Sequence, residues 1–317
     1  MILGQVNDID VKLLRVFRHI VECGGMSAAE LELNISRSVI SRQLKDLEIR
    51  LGGLRLCNRG RAGFSLTEEG QLVYQAILRL QSSIDSFRSD VSNIHQRLTG
   101  NLVLAVGDLT MTNLQSRISD AIYEFHQIAP EVTLEMYTQP LNVIEPLVID
   151  GSYHIGIVPF HRFSSCLEYS PLFNEEMYLY CSASHPLARI NHSKLRWNDI
   201  REYPFAGLGY HSPNMELAEK ISLNRMATTQ NQESVATLIA SGCYIGFLPK
   251  HYADTMPESN RLQRIENETF KYEVQYSVIA KKSASSSRIV TELMDCLIAA
   301  HSSSDSSRKP LKLASSA

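Results

Sequence analysis

The chain of 317 residues exceeds the comfortable size of one small hydrophobic core, so its length indicates more than one domain. It contains no apolar run near the roughly 20 residues that span a bilayer and opens with no secretion leader, so we expect a cytoplasmic protein without membrane contact. The net charge is −3, but residues 1–66 hold ten Lys and Arg against seven Asp and Glu, which places the positive excess at the N-terminal end.

Residues 27–48 predict two short helices joined by a tight turn. In the second helix apolar residues recur at steps of four and three, as on one face of an α-helix, at Ile40, Leu44, Leu47 and Leu51. Polar and basic residues occupy the entrance and the opposite face, with an expected N-cap at the first of them: Ser36, Arg37, Ser38, Ser41, Arg42 and Lys45. This layout is typical of a helix-turn-helix, whose second helix enters the DNA major groove. An ordinary amphipathic surface helix is the alternative.

A basic segment follows, in which Gly52 and Gly53 are predicted to end the helix. The residues up to Leu66 are punctuated by glycine and predict a short β-ribbon. Long, permanently charged side chains on this segment suit DNA phosphates or the minor groove, namely Arg55, Arg59 and Arg61. The sequence therefore predicts a winged helix-turn-helix in residues 1–66.

A long helix is predicted over residues 67–98, with Thr67 as its cap and Glu68 and Glu69 in its first turn. Apolar residues alternate in steps of four and three along it: Val73, Ile77, Leu80, Ile84, Phe87, Val91 and Ile94. Three heptads on one register predict a coiled coil that joins two protomers. The alternative is a long helix packed on its own domain.

These segments together resemble the LysR-type transcriptional regulators, from about Val11 to the last helix near Ala300. The resemblance rests on residues 13–17, 29–36, 41–52, 56–59 and 66–70. Glu30, Arg37 and Cys57 depart from the residues that are usual in the family. We interpret Glu30 and Cys57 as packing variants, whereas Arg37 lies at the expected DNA-facing end and bears on base preference.

From residue 99 to 301 strands and helices alternate, which predicts parallel βαβ units. The resemblance implies an effector-binding domain of two α/β lobes similar to periplasmic solute-binding proteins. We expect lobe I at about 99–172 and 274–301, and lobe II at about 173–273. The overall fold class is thus α/β, with a winged helix-turn-helix, a coiled-coil linker helix and this two-lobed domain. The Ser-rich residues 302–317 lack periodicity and are predicted to be disordered.

Ligands in open α/β sheets bind at the carboxyl ends of strands, near helix N-termini. This rule selects candidate effector contacts after the predicted strands: Asp108, Leu109, Thr110, Met111, Thr112, Pro140, Leu141, Pro159, His161, Tyr210 and Asn231. Hydroxyls and amides near helix dipoles favour a small polar or anionic metabolite. Asp108 has two interpretations, as a cap of the helix that begins at Leu109 or as a cleft carboxylate that favours an amine or a hydroxyl.

Catalytic motifs are absent from the sequence, which has no nucleophile elbow, P-loop, Gly-rich dinucleotide loop or paired carboxylates, so we expect no enzyme and no cofactor. His161, His211 and His251 lack ligand spacing, and the six cysteines are scattered, which leaves metal sensing or a redox pair as minor alternatives. The expected function is effector-controlled binding of double-stranded DNA by a homodimer or homotetramer, with RNA polymerase among the partners that this function allows. The alternatives are an architectural DNA-binding protein and a solute-binding protein.

Overall fold

The computed structural model describes residues 6–60, 63–93, 98–256, 262–282 and 287–302. The chain divides into two units, Met1–Phe87 and Arg88–Ala317. The predicted disordered tail lies outside the described residues from 303 onward.

The first unit is a three-helix domain with a small ribbon. Its elements are α1 (Asp8–Glu22), α2 (Met26–Leu33), α3 (Arg37–Arg50), β1 (Cys57–Gly60) and β2 (Gly63–Leu66), and the two strands pair antiparallel. The predicted apolar face of α3 is confirmed, since all four of its residues are buried in a core that also holds Phe17 and Ile20. Gly52 and Gly53 follow α3 with φ of 86° and 84°, a region that L side chains rarely adopt.

A long helix, α4 (Glu68–Asn93), follows the ribbon. The N–H of Gly70 donates to Oγ1 of Thr67 over 2.9 Å, which confirms the predicted cap. Gly70 packs directly on the preceding segment, because a Cβ built there would lie 1.9 Å from the carbonyl oxygen of Leu56. Only glycine, which has no Cβ, fits at this position, and its close contact with Leu56 fixes the start of α4 to its own domain.

The second unit is a mixed α/β structure. It begins with β3 (Thr99–Val106), α5 (Ile118–Ile128), β4 (Glu131–Thr138), α6 (Leu141–Asp150) and β5 (Ile155–Pro159). It continues with β6 (Leu167–Ser182), α7 (Trp197–Ile200), β7 (Phe205–Leu208), α8 (Pro213–Lys220), β8 (Arg225–Thr229) and α9 (Gln232–Ala240). It ends with β9 (Gly246–Pro249), α10 (Lys250–Ala253), β10 (Leu262–Arg264), β11 (Lys271–Lys281) and α11 (Arg288–Ser302).

The prediction of parallel βαβ units holds for part of this unit only. Strand β3 pairs parallel with β4 and β5, and β7 pairs parallel with β8. Strands β6, β9, β10 and β11 instead pair antiparallel, in a sheet of order β10-β6-β11-β5-β3-β4 in which β9 also pairs with β6. The sheet is therefore mixed, because two long strands return through it in the opposite direction.

Strands β6 and β11 run along each other and connect the two lobes. Their pairing extends from Lys271 opposite Tyr178 to Lys281 opposite Leu167, with a register shift between Tyr276 and Ser277. Only the end of β6 at residues 177–181 is continuously apolar and predicts a strand, because Pro171, Asn174 and neighbouring acids interrupt the hydrophobic pattern of its first half. The register shift is an irregularity of the kind that lets a strand bend.

Candidate DNA interface and effector cleft

Four residues of α3 form one exposed polar face. Ser38, Ser41, Arg42 and Lys45 follow the spacing of adjacent helical turns, and Arg42 and Lys45 are fully exposed while Ser41 is half-buried. The opposite face lies in the domain core, so α3 holds its polar face outward rigidly. Arginine and lysine donors on such a helix suit guanine edges and phosphates in a major groove.

Glu30, which the sequence suggests is a packing variant, connects α2 to the start of α3. The carboxylate of Glu30 accepts a hydrogen bond from the backbone N–H of Arg37. Ser36 lies at the N-cap position, but its hydroxyl contacts Ser38 Oγ at 3.0 Å and makes no capping hydrogen bond. Glu30 thus corrects two expectations, because it provides the acceptor at this helix N-terminus that Ser36 does not. Cys57 is buried, as expected of a packing residue.

The predicted basic residues of the wing are only partly visible. Arg55 is exposed, its Nε donates to the Cys57 carbonyl over 3.3 Å, and its own carbonyl accepts from Thr67 Oγ1 over 2.5 Å. The Thr67 bond holds the backbone beside the start of α4, while the guanidinium group contacts the Cys57 carbonyl through its Nε. The side chain of Arg59 and all of Arg61 lie outside the described residues.

The predicted dimer seam on α4 changes character along the helix. Val73 packs partly buried against the core of its own domain, and Ile77 is only 5 % exposed within that core. At these two positions the structure favours the alternative of a helix packed on its own domain. Leu80 and Phe87 are exposed, Phe87 by 67 %, and Ile84 is half-buried. The side chain of Val91 and all of Ile94 lie outside the described residues.

A cavity of about 40 Å³ lies between the two lobes, and we call it the cleft cavity. Lobe I provides Gly107, Asp108, Gln139, Pro140, Leu141 and Pro159, and lobe II provides Leu208, Tyr210, Ser212, Pro213, Asn214 and Gln232. Five residues that were predicted to contact the effector, because they follow strand ends, line this cavity: Asp108, Pro140, Leu141, Pro159 and Tyr210.

The other predicted effector residues lie elsewhere. Leu109 and Asn231 line an adjoining cavity of about 480 Å³ that shares Asp108, Gln139 and Pro140 with the first. Thr110 is buried in a 3-10 turn, Met111 is 85 % exposed, and neither lines the two cavities. Thr112 and His161 also lie outside both linings.

Sequence analysis missed the floor of the cleft cavity. Strands β6 and β11 provide it with alternate residues, namely Glu175, Met177, Tyr272, Val274 and Tyr276. Side chains two apart on a strand share a face, so the alternation itself was a usable signal. The alternation did not lead to a prediction, because β6 was predicted to begin only at residue 177 and strand interiors were not expected to contact ligand.

The carboxylate of Asp108 bridges the lobes. Its Oδ2 accepts a hydrogen bond of 2.7 Å from the N–H of Gln232, the first residue of α9 in lobe II. Burial raises the pKa of this carboxyl, while the bond from Gln232 acts in the opposite direction. Asp108 therefore does not cap a helix at Leu109, whose φ of 61° is left-handed, and it instead occupies a helix N-terminus across the cleft.

A second carboxylate, Glu175, is buried in the floor. Its Oε1 lies 2.9 Å from His251 Nε2, and the other ring nitrogen of His251 lies 2.8 Å from Thr112 Oγ1. Burial raises the pKa of Glu175, and the hydrogen bond from His251 opposes that shift. Thr112 thus contributes to the site indirectly, by holding the histidine that contacts Glu175.

Histidines from both lobes also meet beside the cleft. The rings of His161 and His211 have centroids 5.1 Å apart, and His211 Nε2 lies 3.4 Å from Glu216 Oε1. Burial lowers the pKa of His161. Within the described ranges, no group of three or more His, Cys, Asp or Glu side chains is placed to hold a metal ion.

Two family models account for most of the chain. Residues 11–71 match the bacterial regulatory helix-turn-helix protein model of the lysR family, and residues 95–302 match the LysR substrate binding domain. The chain belongs to the LysR family of transcriptional regulators. This LysR-type regulator combines a helix-turn-helix domain with a two-lobed effector-binding domain, and it is a DNA-binding regulator and not an enzyme.

Curated relatives agree with this assignment. The regulator is 37% identical over 295 residues to the HTH-type transcriptional activator BauR of Pseudomonas aeruginosa. The aligned region covers 93% of this chain and 96% of BauR. It is 24% identical to the HTH-type transcriptional regulator TdcA of Escherichia coli over 74% of this chain and 76% of that protein.

Solved structures show the same fold. Full-length CbnR in complex with its target DNA superposes with a TM-score of 0.64 at 18% identity, over 92% of this chain and 99% of CbnR. A full-length OxyR variant from Pseudomonas aeruginosa gives 0.58 at 16% identity, over 93% and 95% of the two chains. Among the described residues of the LysR-type regulator, no helix is both long and apolar enough to cross a membrane.

Proposed function

We propose that this regulator controls transcription by binding operator DNA through α3, and that a small polar molecule in the cleft cavity changes that binding. The observation that carries the proposal is the combination, in one chain, of an exposed basic recognition face and a cavity lined by both lobes. A ligand that touches both lobes has different affinities for their open and closed arrangements, so it shifts the equilibrium between them.

The proposed DNA contacts divide by chemistry. Arg37, Ser38, Ser41, Arg42 and Lys45 face base edges, where their donors distinguish sequences. Ser36 and the wing arginines Arg55, Arg59 and Arg61 contact phosphates and fix the register of the domain on the duplex. The exposed position of Arg42 and Lys45 on a helix with a buried opposite face supports this division.

We further propose a homodimer through the second half of α4, and a homotetramer through the effector-binding domains. The exposed Leu80 and Phe87, with the half-buried Ile84 between them, support the dimer contact. The proposed outcome is activation through RNA polymerase in the cytoplasm, and the name of the Pseudomonas aeruginosa relative as a transcriptional activator supports it.

The test is DNA binding by purified full-length protein. The duplexes are the DNA upstream of its own coding region and a scrambled duplex of the same composition, each at two salt concentrations. Arg42→Ala is expected to reduce discrimination between them by about 1–3 kcal/mol, because a base-contacting arginine is lost. Lys220→Ala, which removes an exposed cation from α8, is the matched control and is expected to change nothing.

Equal binding of both duplexes by the unmodified protein, with a steep salt dependence, would support the architectural alternative instead. Equal discrimination by the Arg42→Ala variant and the unmodified protein would show that α3 does not read the bases. Absence of binding to either duplex at low salt would overturn the proposed function itself.

A further inference from the structure

The lining of the cleft cavity contains carboxylates but no basic side chain, and His251, which contacts Glu175, lies outside that lining. Asp108 and Glu175 line it, and the adjoining cavity adds Glu233 to the shared Asp108. No Lys, Arg or His is found among the described residues that line either cavity. Carboxylates in a partly closed site are unfavourable unless an opposite charge or hydrogen-bond donors compensate them. The lining therefore disfavours an anion, and a cationic ligand would add to the compensation that His251 gives Glu175 and the Gln232 N–H gives Asp108.

One helix N-terminus at the cleft is already occupied. The N–H of Gln232 at the start of α9 donates to Asp108, so the positive end of this helix faces a carboxylate of the protein itself. An anionic ligand at this helix end would have to displace Asp108 and would then lie close to the displaced charge. Helices α6 and α8 also begin at residues that line the cavity, so this contact disfavours an anion at α9 only, and elsewhere the nearby carboxylates disfavour it.

An unsatisfied acceptor provides an independent indication of the ligand. The side chain of Gln232 is only 7 % exposed and lines the cleft cavity, and its Oε1 has no hydrogen-bond partner among the described residues. Buried amide oxygens nearly always accept a hydrogen bond, so we expect the ligand to donate one to this atom. A primary ammonium group has three N–H donors and no acceptor, which matches one amide oxygen and two carboxylates.

Aromatic rings complete the surroundings. Tyr210, Tyr272 and Tyr276 line the same cavity as the two carboxylates. The faces of such rings attract cations, and their apolar surface accommodates a short aliphatic chain. The adjoining cavity of about 480 Å³ leaves room for a molecule of a few carbon atoms rather than an extended polymer.

We infer that the effector of this regulator carries a protonated primary amine, which binds between Asp108 and Glu175 with the Gln232 amide oxygen as a third acceptor. This inference rests on the proposed function, since it names the chemical class of the molecule that fills the cleft. An amine that replaces the hydrogen bond between Asp108 and Gln232 also changes the direct link between the lobes, and this change couples binding to their arrangement.

The experiment is calorimetric titration of the full-length protein with probes of one chain length: n-butylamine, 1,4-diaminobutane, 4-aminobutyrate, n-butyrate and 1-butanol. We expect saturable binding by at least one of the three amines and none by butyrate or butanol. Asp108→Asn is expected to weaken the amine at least roughly tenfold, because it keeps the shape and the acceptor but removes the charge. Glu175→Gln is a second variant with the same expected effect, so one misfolded protein does not decide the result. Glu168→Gln changes an exposed carboxylate on the same strand β6 and is the matched control, with unchanged affinity.

Three results would overturn the inference: butyrate binding as tightly as the amines, an amine affinity that Asp108→Asn and Glu175→Gln leave unaltered, or no binding by any amine in the series. Sequence-selective DNA binding by the ligand-free protein, measured in parallel, separates these results from failure of the proposed function. A protein that binds its operator and prefers butyrate would remain a ligand-responsive regulator with an anionic effector.

Discussion

Asp10 connects the beginning of the first helix to the end of the recognition helix. Its Oδ2 accepts a 2.8 Å hydrogen bond from the N–H of Asn7, and its Oδ1 accepts a 2.6 Å bond from Arg50 Nε at the end of α3. The Asn7 bond and then the Arg50 bond hold the pKa of this carboxyl below its ordinary value. This buried side chain thus adds a polar link between α1 and the end of α3, the helix on which the proposed DNA contacts depend.

The lowered pKa of Asp10 predicts a loss of protection in acid. A carboxyl whose folded-state pKa lies below its unfolded-state value stabilises the fold at neutral pH, and this contribution is lost as the pH falls below about 4. Asp10→Asn is therefore expected to speed amide hydrogen exchange in α1 and α3 at pH 7 and to flatten the dependence of that exchange equilibrium on pH. Hydrogen-exchange mass spectrometry of the full chain measures both effects.

Asp8→Asn is the control for Asp10, because Asp8 is exposed in the same helical turn. Equal exchange in the two variants would mean that the Asp10 contacts do not hold α1 and α3 together.

At the scale of elements, α4 has two successive environments. Its first turns belong to the core of the DNA-binding domain, as the burial of Ile77 and the contact of Gly70 with Leu56 demonstrate. Further along, Leu80 and Phe87 continue the same apolar spacing on an exposed surface. A periodicity of four and three specifies which face of a helix is apolar, but the same face is buried equally well by the same chain or by another. For this reason the sequence predicted the stripe on α4 but not where intramolecular packing ends.

This division predicts opposite consequences for two substitutions on one stripe. Ile77→Ala is expected to destabilise the DNA-binding domain by about 2–4 kcal/mol, because it leaves a cavity in a closed core, and to leave the molar mass unchanged. Phe87→Asp is expected to leave the domain folded and to dissociate the proposed dimer, because it places a charge in the apolar contact between protomers. Chemical unfolding and light scattering distinguish the two variants.

A Phe87→Asp protein with the molar mass of the unmodified protein would contradict the dimer contact on α4. Leu72→Asp, on an exposed residue of the same helix outside the stripe, is the control and should alter neither quantity.

At the scale of the whole molecule, the effector cleft depends on residues that are far apart in the sequence. Asp108 and Gln232 are separated by 124 positions, and β6 and β11 bring Glu175 beside Tyr276 from segments that are also far apart in the sequence. The ends of β3 and β5 were predicted from the sequence, because the rule that ligands bind at the carboxyl ends of strands needs only the local order of strand and helix. The alternation on β6 and β11 marks which residues share a face, but the antiparallel pairing that brings the two strands together as the floor of the cleft follows from the completed sheet and not from either segment alone.

The two-lobed arrangement and the proposed dimer together make a prediction about operator geometry. Two recognition helices in one dimer are held at a fixed separation, so their half-sites should lie one helical turn of DNA, or a multiple of it, apart. Inserting about five base pairs between the half-sites turns one of them to the opposite side of the duplex, whereas inserting about ten restores the side and changes only the distance. We therefore expect a larger loss of affinity for the five-base-pair insertion than for the ten-base-pair insertion, measured by titration of labelled duplexes.

The affinity of the Phe87→Asp variant should not change with either insertion, since its protomers bind each half-site separately. Equal losses for the two insertions in the unmodified protein would mean that its recognition helices are not coupled, and that α4 links the two domains of one chain without pairing two chains.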